Sequence, residues 1–124
     1  MVYDSRRDRI VLFGGMGVDG TRYDDTWEFD GRSWHRIDAA GPGARLAPGA
    51  TYDSKRGEVI LFGGQAAGEP SSATWSYNGR VWKKLSDAGP PARSMGYLVY
   101  DPAGDRVVLF GGRTSYPDGD MNDT

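Results

Sequence analysis

The sequence predicts an all-β fold of short antiparallel strands arranged in an internal repeat. Three observations carry that prediction. The 124 residues include 19 glycines and 4 tryptophans, a usage that suits tight turns and large packed rings better than long helices. The run Val11-Leu12-Phe13-Gly14-Gly15 returns as Ile60-Leu61-Phe62-Gly63-Gly64 and again as Val108-Leu109-Phe110-Gly111-Gly112, the first glycine advancing by 49 and then 48 residues. Asp30-Gly31 and Asn78-Gly79 each divide two aromatic segments, as hairpin turns do.

Turn residues cut each unit into four strand positions, a to d. Position a is Met1-Val2-Tyr3, then Gly49-Ala50-Thr51-Tyr52, then Tyr97-Leu98-Val99-Tyr100, each followed by an aspartate and a polar turn. Position b is the aliphatic run into Phe-Gly-Gly, whose unbroken apolar character predicts a strand covered on both faces. Position c is Thr26-Trp27-Glu28-Phe29 and Thr74-Trp75-Ser76-Tyr77, with the tryptophan and the second aromatic on one face by the period of two. Position d holds Trp34 and Trp82, each seven residues beyond the tryptophan of c. Between c and d, Asp30-Gly31 and Asn78-Gly79 are expected to supply two positive φ values to two-residue hairpins. The order abcd, abcd, ab gives units at 1–38, 45–86 and 93–124 of one continuous segment. Pro48 occupies the place of Gly96 in the next copy, where a proline in a paired central strand would lose a ladder hydrogen bond.

The glycine doublet, the tryptophan spacing, the Gly41-Pro42 and Gly89-Pro90 approaches to Arg45 and Arg93, and the period together resemble the kelch repeat of β-propellers, nearest to the bacterial, galactose-oxidase-like kelch group. The resemblance covers essentially the whole chain. It implies kelch-type propeller blades, each a four-stranded antiparallel sheet, in an incomplete propeller of about two and a half blades with strand a innermost. Blades bury their faces only against neighbours, so closure is expected from the remaining blades of a longer protein or from self-association. Two copies would supply the strands of five blades, but both half blades offer positions a and b, which favours the longer protein.

The repetition also assigns the conspicuous residues to architecture. Gly14, Gly15, Gly63, Gly64, Gly111 and Gly112 open no helix and precede no Lys-Ser/Thr, so they are read as sites of close strand approach rather than phosphate loops. Trp27, Trp34, Trp75 and Trp82 are read as packing between sheets. Arg45 and Arg93 are expected to pair with carboxylates or carbonyls at a blade edge.

A net charge of −2 leaves no basic surplus for phosphates, so nucleic acid is not an expected partner. The absence of cysteine removes thiolate nucleophiles, disulfides and Cys-based metal sites. Galactose oxidase shares the kelch propeller, but its copper centre needs a Tyr–Cys crosslink and two histidines. This chain has only His35, which aligns with Lys83 on a solvated strand. The Ser-x-Asp box of sialidases does not occur. Residues 118–123 alternate oxygen side chains but lack the glycine and distal glutamate of a calcium loop. No metal, cofactor or catalytic constellation is expected, and the chain is not read as an enzyme in itself. No stretch approaches the roughly 20 apolar residues of a membrane helix, so a membrane is not an expected partner. The Met1 end lacks the basic and apolar regions of a secretion signal; a secreted or periplasmic parent would carry that signal elsewhere.

Binding is the function that remains. In an antiparallel sheet the a–b and c–d turns lie at one end and the b–c and d–a loops at the other. The second set is long: 16–25, 65–73 and 113–123 after strand b, with 38–46 and 86–94 between units. Arg22, Tyr23, Glu69, Arg113 and Tyr116 within these loops are the candidate contacts, because tyrosine and arginine dominate binding hot spots. The expected function is a scaffold that binds protein or glycan through its long-loop face. The alternatives are a non-catalytic part of a galactose-oxidase-like or other propeller enzyme whose active site lies outside this chain, and a purely structural repeat module.

Overall fold

In the computed structural model, which describes residues 1–114 and 119–124, the chain is all-β. Its strands are β1 (Val2–Asp4), β2 (Arg9–Met16), β3 (Arg22–Phe29), β4 (Trp34–Ile37), β5 (Arg45–Leu46), β6 (Gly49–Asp53), β7 (Glu58–Phe62), β8 (Gln65–Ala66), β9 (Glu69–Pro70), β10 (Thr74–Tyr77), β11 (Trp82–Ser86), β12 (Tyr97–Asp101) and β13 (Arg106–Phe110). Two four-stranded antiparallel sheets have the orders β1-β2-β3-β4 and β6-β7-β10-β11. A two-stranded sheet, β12-β13, repeats the first half of that pattern, and a small sheet, β5-β8-β9, lies outside it. The four strand positions of each repeat are therefore meanders in sequence order, and the first strand of each is an edge. Pro48 stands just before the edge strand β6, where its missing N–H interrupts no ladder.

The Tyr-Asp signature of each repeat closes the first hairpin. Asp4 Oδ1 accepts the backbone N–H groups of Arg6 and Arg7 at 3.0 and 3.1 Å. Asp53 accepts those of Lys55 and Arg56, and Asp101 those of Ala103 and Gly104, in the same way. The last residue of each turn is left-handed, with φ of 55° at Asp8, 71° at Gly57 and 49° at Asp105, a conformation that aspartate tolerates better than most side chains.

The turns between the third and fourth strands differ from the two-residue hairpins that Asp-Gly and Asn-Gly predict. Phe29 pairs with Trp34 and Tyr77 with Trp82, so each turn holds four residues. Gly31 and Gly79 alone have positive φ, both 92°. The preceding residue acts through its side chain: Asp30 Oδ1 accepts from the N–H groups of Arg32 and Ser33, and Asn78 Oδ1 from those of Arg80 and Val81. A side-chain cap replaces the second left-handed residue.

Facing sheets are held by a mixed core. Val11, Val59, Leu61, Tyr77 and Trp82 form the buried cluster between the first and second sheets. In β3 the more deeply buried face carries Thr26 and Glu28, not Trp27 and Phe29, because the second sheet supplies the aromatic rings. Trp82 Nε1 donates to Thr26 Oγ1 at 2.9 Å, and the Tyr77 hydroxyl to Glu28 Oε1 at 2.8 Å. Arg7 bridges Asp4 and Glu28, at 2.7 Å to each, with its guanidinium over the Tyr77 ring. Burial, then the hydrogen bond to Glu28, push the Tyr77 hydroxyl above its ordinary range. The third sheet meets the second through the close approach of Gly49 to Leu98, the Tyr100 N–H on Thr51 Oγ1, and Lys55 and Arg56 on Asp105.

Candidate ligand-binding cleft

At the long-loop end, backbone from successive repeats is tied together around the glycine doublets. The Gly64 N–H donates to the Arg93 carbonyl at 2.9 Å and the Arg93 N–H to the Ser71 carbonyl at 3.2 Å. Ser94 and Arg113 exchange both backbone hydrogen bonds. Buried arginines clamp the crossing: Arg45 Nη1 donates to the Gly63 carbonyl at 2.8 Å and Arg93 Nη1 to the Gly111 carbonyl at 3.0 Å. Each guanidinium thus binds the first glycine of a doublet, where the left-handed turn presents its carbonyl.

These ties frame a cleft of about 460 Å³. Leu46 and Ala47 come from one repeat, Ser94 and Met95 from the next, and Gln65 and Glu69 from the β8–β9 hairpin between them. Arg113 closes one side, its guanidinium paired with Asp120. Ala47 and Met95 hold left-handed backbone, with φ of 50° and 58°, and the Met95 N–H donates to the Ala47 carbonyl at 2.8 Å. Such a conformation costs a residue with a Cβ about 1–2 kcal/mol, and its presence at one point in two repeats shows that the surrounding ties impose it. The lining combines an acid, an amide, a guanidinium and apolar side chains, the mixture that recognises an amphipathic ligand.

The structure brings some of the predicted contacts together. Glu69 and Arg113 line the cleft, and Arg22 reaches its rim by donating from Nη2 to Gln65 Oε1 at 3.1 Å. Tyr23 is exposed on the neighbouring ribbon, where its hydroxyl lies against Gly17. Tyr116 lies outside the described residues, as does Asp118. Two of the presumed loops are corrected. Arg22 and Tyr23 belong to β3, because a bulge between Phe13 and Gly15 lets β2 continue to Met16. The turn that follows is fastened by Asp19, which accepts from the Thr21 N–H and hydroxyl at 3.0 and 2.8 Å. Glu69 belongs to β9, paired with Ala66 across a turn at Ala67 and Gly68. The sequence reading missed Ala47 and Met95. The available signal was spacing, since each follows its arginine by two residues.

One position differs among the repeats in a way that leaves a buried donor unserved. Asp25, Ala73 and Asp123 each precede a threonine, Thr26, Thr74 and Thr124. Asp25 Oδ2 accepts the Trp27 indole N–H at 2.7 Å, and Asp123 pairs with Arg93 at 2.5 and 2.9 Å. With alanine at 73, the indole nitrogen of Trp75 is buried without a partner, and among the described residues no carboxylate meets Arg45. Burial lowers the Arg45 pKa, whereas the hydrogen bond to Asp123 raises that of Arg93. Ala73→Asp is therefore expected to raise stability in urea denaturation by about 1.5–3 kcal/mol, the range for a hydrogen bond to a charged group. A Trp75→Phe, Arg45→Met background should erase the gain, and an equal gain there would refute this account.

No protein-family model matches the chain, and no curated protein matches it.

Proposed function

We propose that this chain is a kelch-type β-propeller segment that works as a binding scaffold, taking a protein or glycan partner at its long-loop face. The repeat period, the doublets and the stacked four-stranded meanders support the kelch reading. The observation that carries the functional reading is the cleft, where two repeats hold equivalent left-handed residues, Ala47 and Met95, beside Glu69 and Arg113. Backbone fixed in this way loses little further freedom on binding, so the contacts it makes are retained as affinity.

The reading is tested with an immobilised glycan panel and a displayed peptide library, each selected on the wild-type chain and on a Glu69→Ala, Met95→Ala double variant. Ligands are expected that bind the wild type at least tenfold more tightly, a difference of about 1.4 kcal/mol. Circular dichroism should show the variant folded. Selected ligands that bind both proteins equally would overturn the assignment of this cleft.

A further inference from the structure

In the second repeat a buried arginine and a buried indole N–H belong to one place in the fold, and the residue that serves such groups elsewhere is an alanine. Arg45 is 4% exposed and Ala73 7%. The backbone around them matches that around Arg93 and Asp123. Each arginine donates from Nε to the carbonyl two residues earlier, Gly43 or Pro91. Each also donates from Nη1 to the first glycine of the following doublet, Gly63 or Gly111. That glycine's N–H in turn donates to the carbonyl of Ala73 or Asp123, at 3.0 and 3.1 Å. Residue 73 therefore stands to Arg45 as Asp123 stands to Arg93, whose Nη1 and Nη2 bind the carboxylate at 2.5 and 2.9 Å. It also stands to Trp75 as Asp25 stands to Trp27, whose indole N–H binds Oδ2 at 2.7 Å. One carboxylate at this place would meet both groups.

Neither group is served by a charge of the chain itself. Arg45 Nη2 donates to the Pro42 carbonyl, so three carbonyl oxygens surround the guanidinium. They carry dipoles and no net charge, and an ion taken out of water without a counter-ion is costly. Burial lowers the Arg45 pKa with no charged partner opposing it. The Trp75 indole nitrogen is buried and makes no hydrogen bond. Lys84, over the Trp75 ring, is itself neutralised by Asp87. A buried cation that lacks a counter-ion, beside a buried donor that lacks an acceptor, is an arrangement that draws an anion from solution. The anion's shape is specified as well, since a planar guanidinium presents parallel N–H groups that fit the two oxygens of a carboxylate.

We propose that a small carboxylate anion, of the size of formate, binds beside Ala73, held by the Arg45 guanidinium and the Trp75 indole N–H. Bound there, it joins β5 to β10 beside the doublet that ties the second repeat to the third. This site does not rest on the loop-face cleft as a ligand site, so either can fail without the other.

The test titrates sodium formate into the whole chain, with sodium fluoride holding the ionic strength constant, and follows the indole N–H resonances by NMR. Trp75→Phe identifies the Trp75 resonance. That resonance is expected to shift saturably with formate and to exchange more slowly with water. The Trp27 resonance, whose N–H is already on Asp25, should stay still. Formate should also raise the urea midpoint of the wild type, as a ligand specific to the folded state does. In Ala73→Asp the chain's own carboxylate takes the place, and both responses are expected to vanish. Trp75→Phe should bind formate severalfold more weakly, read from the midpoint shift. An unmoved Trp75 resonance would give the place to water and overturn the proposal. So would equal midpoint shifts in the wild type and Ala73→Asp, which mark a general salt effect.

Discussion

Trp82→Ala is expected to destabilise the fold by about 3–5 kcal/mol, the range for emptying a large aromatic site in a packed interior. The side chain is 8% exposed and belongs to the central cluster. Its ring lies 5.0 Å from both Phe13 and Tyr77, edge-on to one and stacked on the other. Its loss also strands the Thr26 hydroxyl, which accepts the indole N–H at the sheet interface. Trp34 occupies the same position in the first repeat yet is 43% exposed, with the Phe29 ring beside it. Trp34→Ala should therefore cost about 1 kcal/mol, the scale of a single aromatic pair. Urea denaturation followed by far-ultraviolet circular dichroism separates the two. Equal losses would mean that burial between sheets is not what Trp82 contributes, and a Trp82→Phe variant falling near wild type would locate the loss in volume rather than in the Thr26 bond.

The contrast between those tryptophans marks the limit of what the repeat makes legible. Equivalent spacing identifies equivalent backbone, which is why the strand positions, their order and the polar turns follow from the sequence. Burial depends on which sheet stands opposite, and that is a property of neighbours. The same reason reverses β3: period-two alternation sets Trp27 and Phe29 apart from Thr26 and Glu28, but only the aromatic face of the second sheet decides that the polar pair is the more buried one. The cleft was legible in part. Loop length pointed to the end of the sheets where the cleft lies, and Glu69 and Arg113 are in its wall. Loop length also hid the ribbon of β2 and β3, whose bulge at Gly14 and Gly15 extends strand pairing through a stretch that reads as turn. Left-handed Ala47 and Met95 were out of reach of propensity, because neither residue type favours that conformation and only the hydrogen-bonded crossing of two repeats enforces it.

Gly63→Ala should be the more disruptive of two glycine substitutions that propensity alone ranks alike. Gly63 has φ of +68° and Gly31 has +92°, so a Cβ strains the backbone at either, by about 1–2 kcal/mol. Their surroundings differ. A Cβ on Gly31 would meet nothing within 4 Å, whereas one on Gly63 would lie 2.3 Å from the Arg93 carbonyl oxygen and 3.2 Å from that of Ser71. Both obstacles are backbone, and neither can rotate aside. The Arg93 carbonyl is the acceptor for the Gly64 N–H, so the clash forces apart the hydrogen bonds that join one repeat to the next beneath the cleft. Adding about 1–3 kcal/mol for overpacking, Gly63→Ala is expected to lose about 2–5 kcal/mol and Gly31→Ala only about 1–2 kcal/mol. The variants also diverge in where the loss appears. Amide exchange should accelerate at Gly64 and Arg113 in Gly63→Ala well beyond the global change, since both amides span the crossing, while Gly31→Ala leaves them in proportion to stability. Matching losses for the two variants would show that left-handed backbone, and not the approach of the neighbouring repeat, is what the first glycine of the doublet provides.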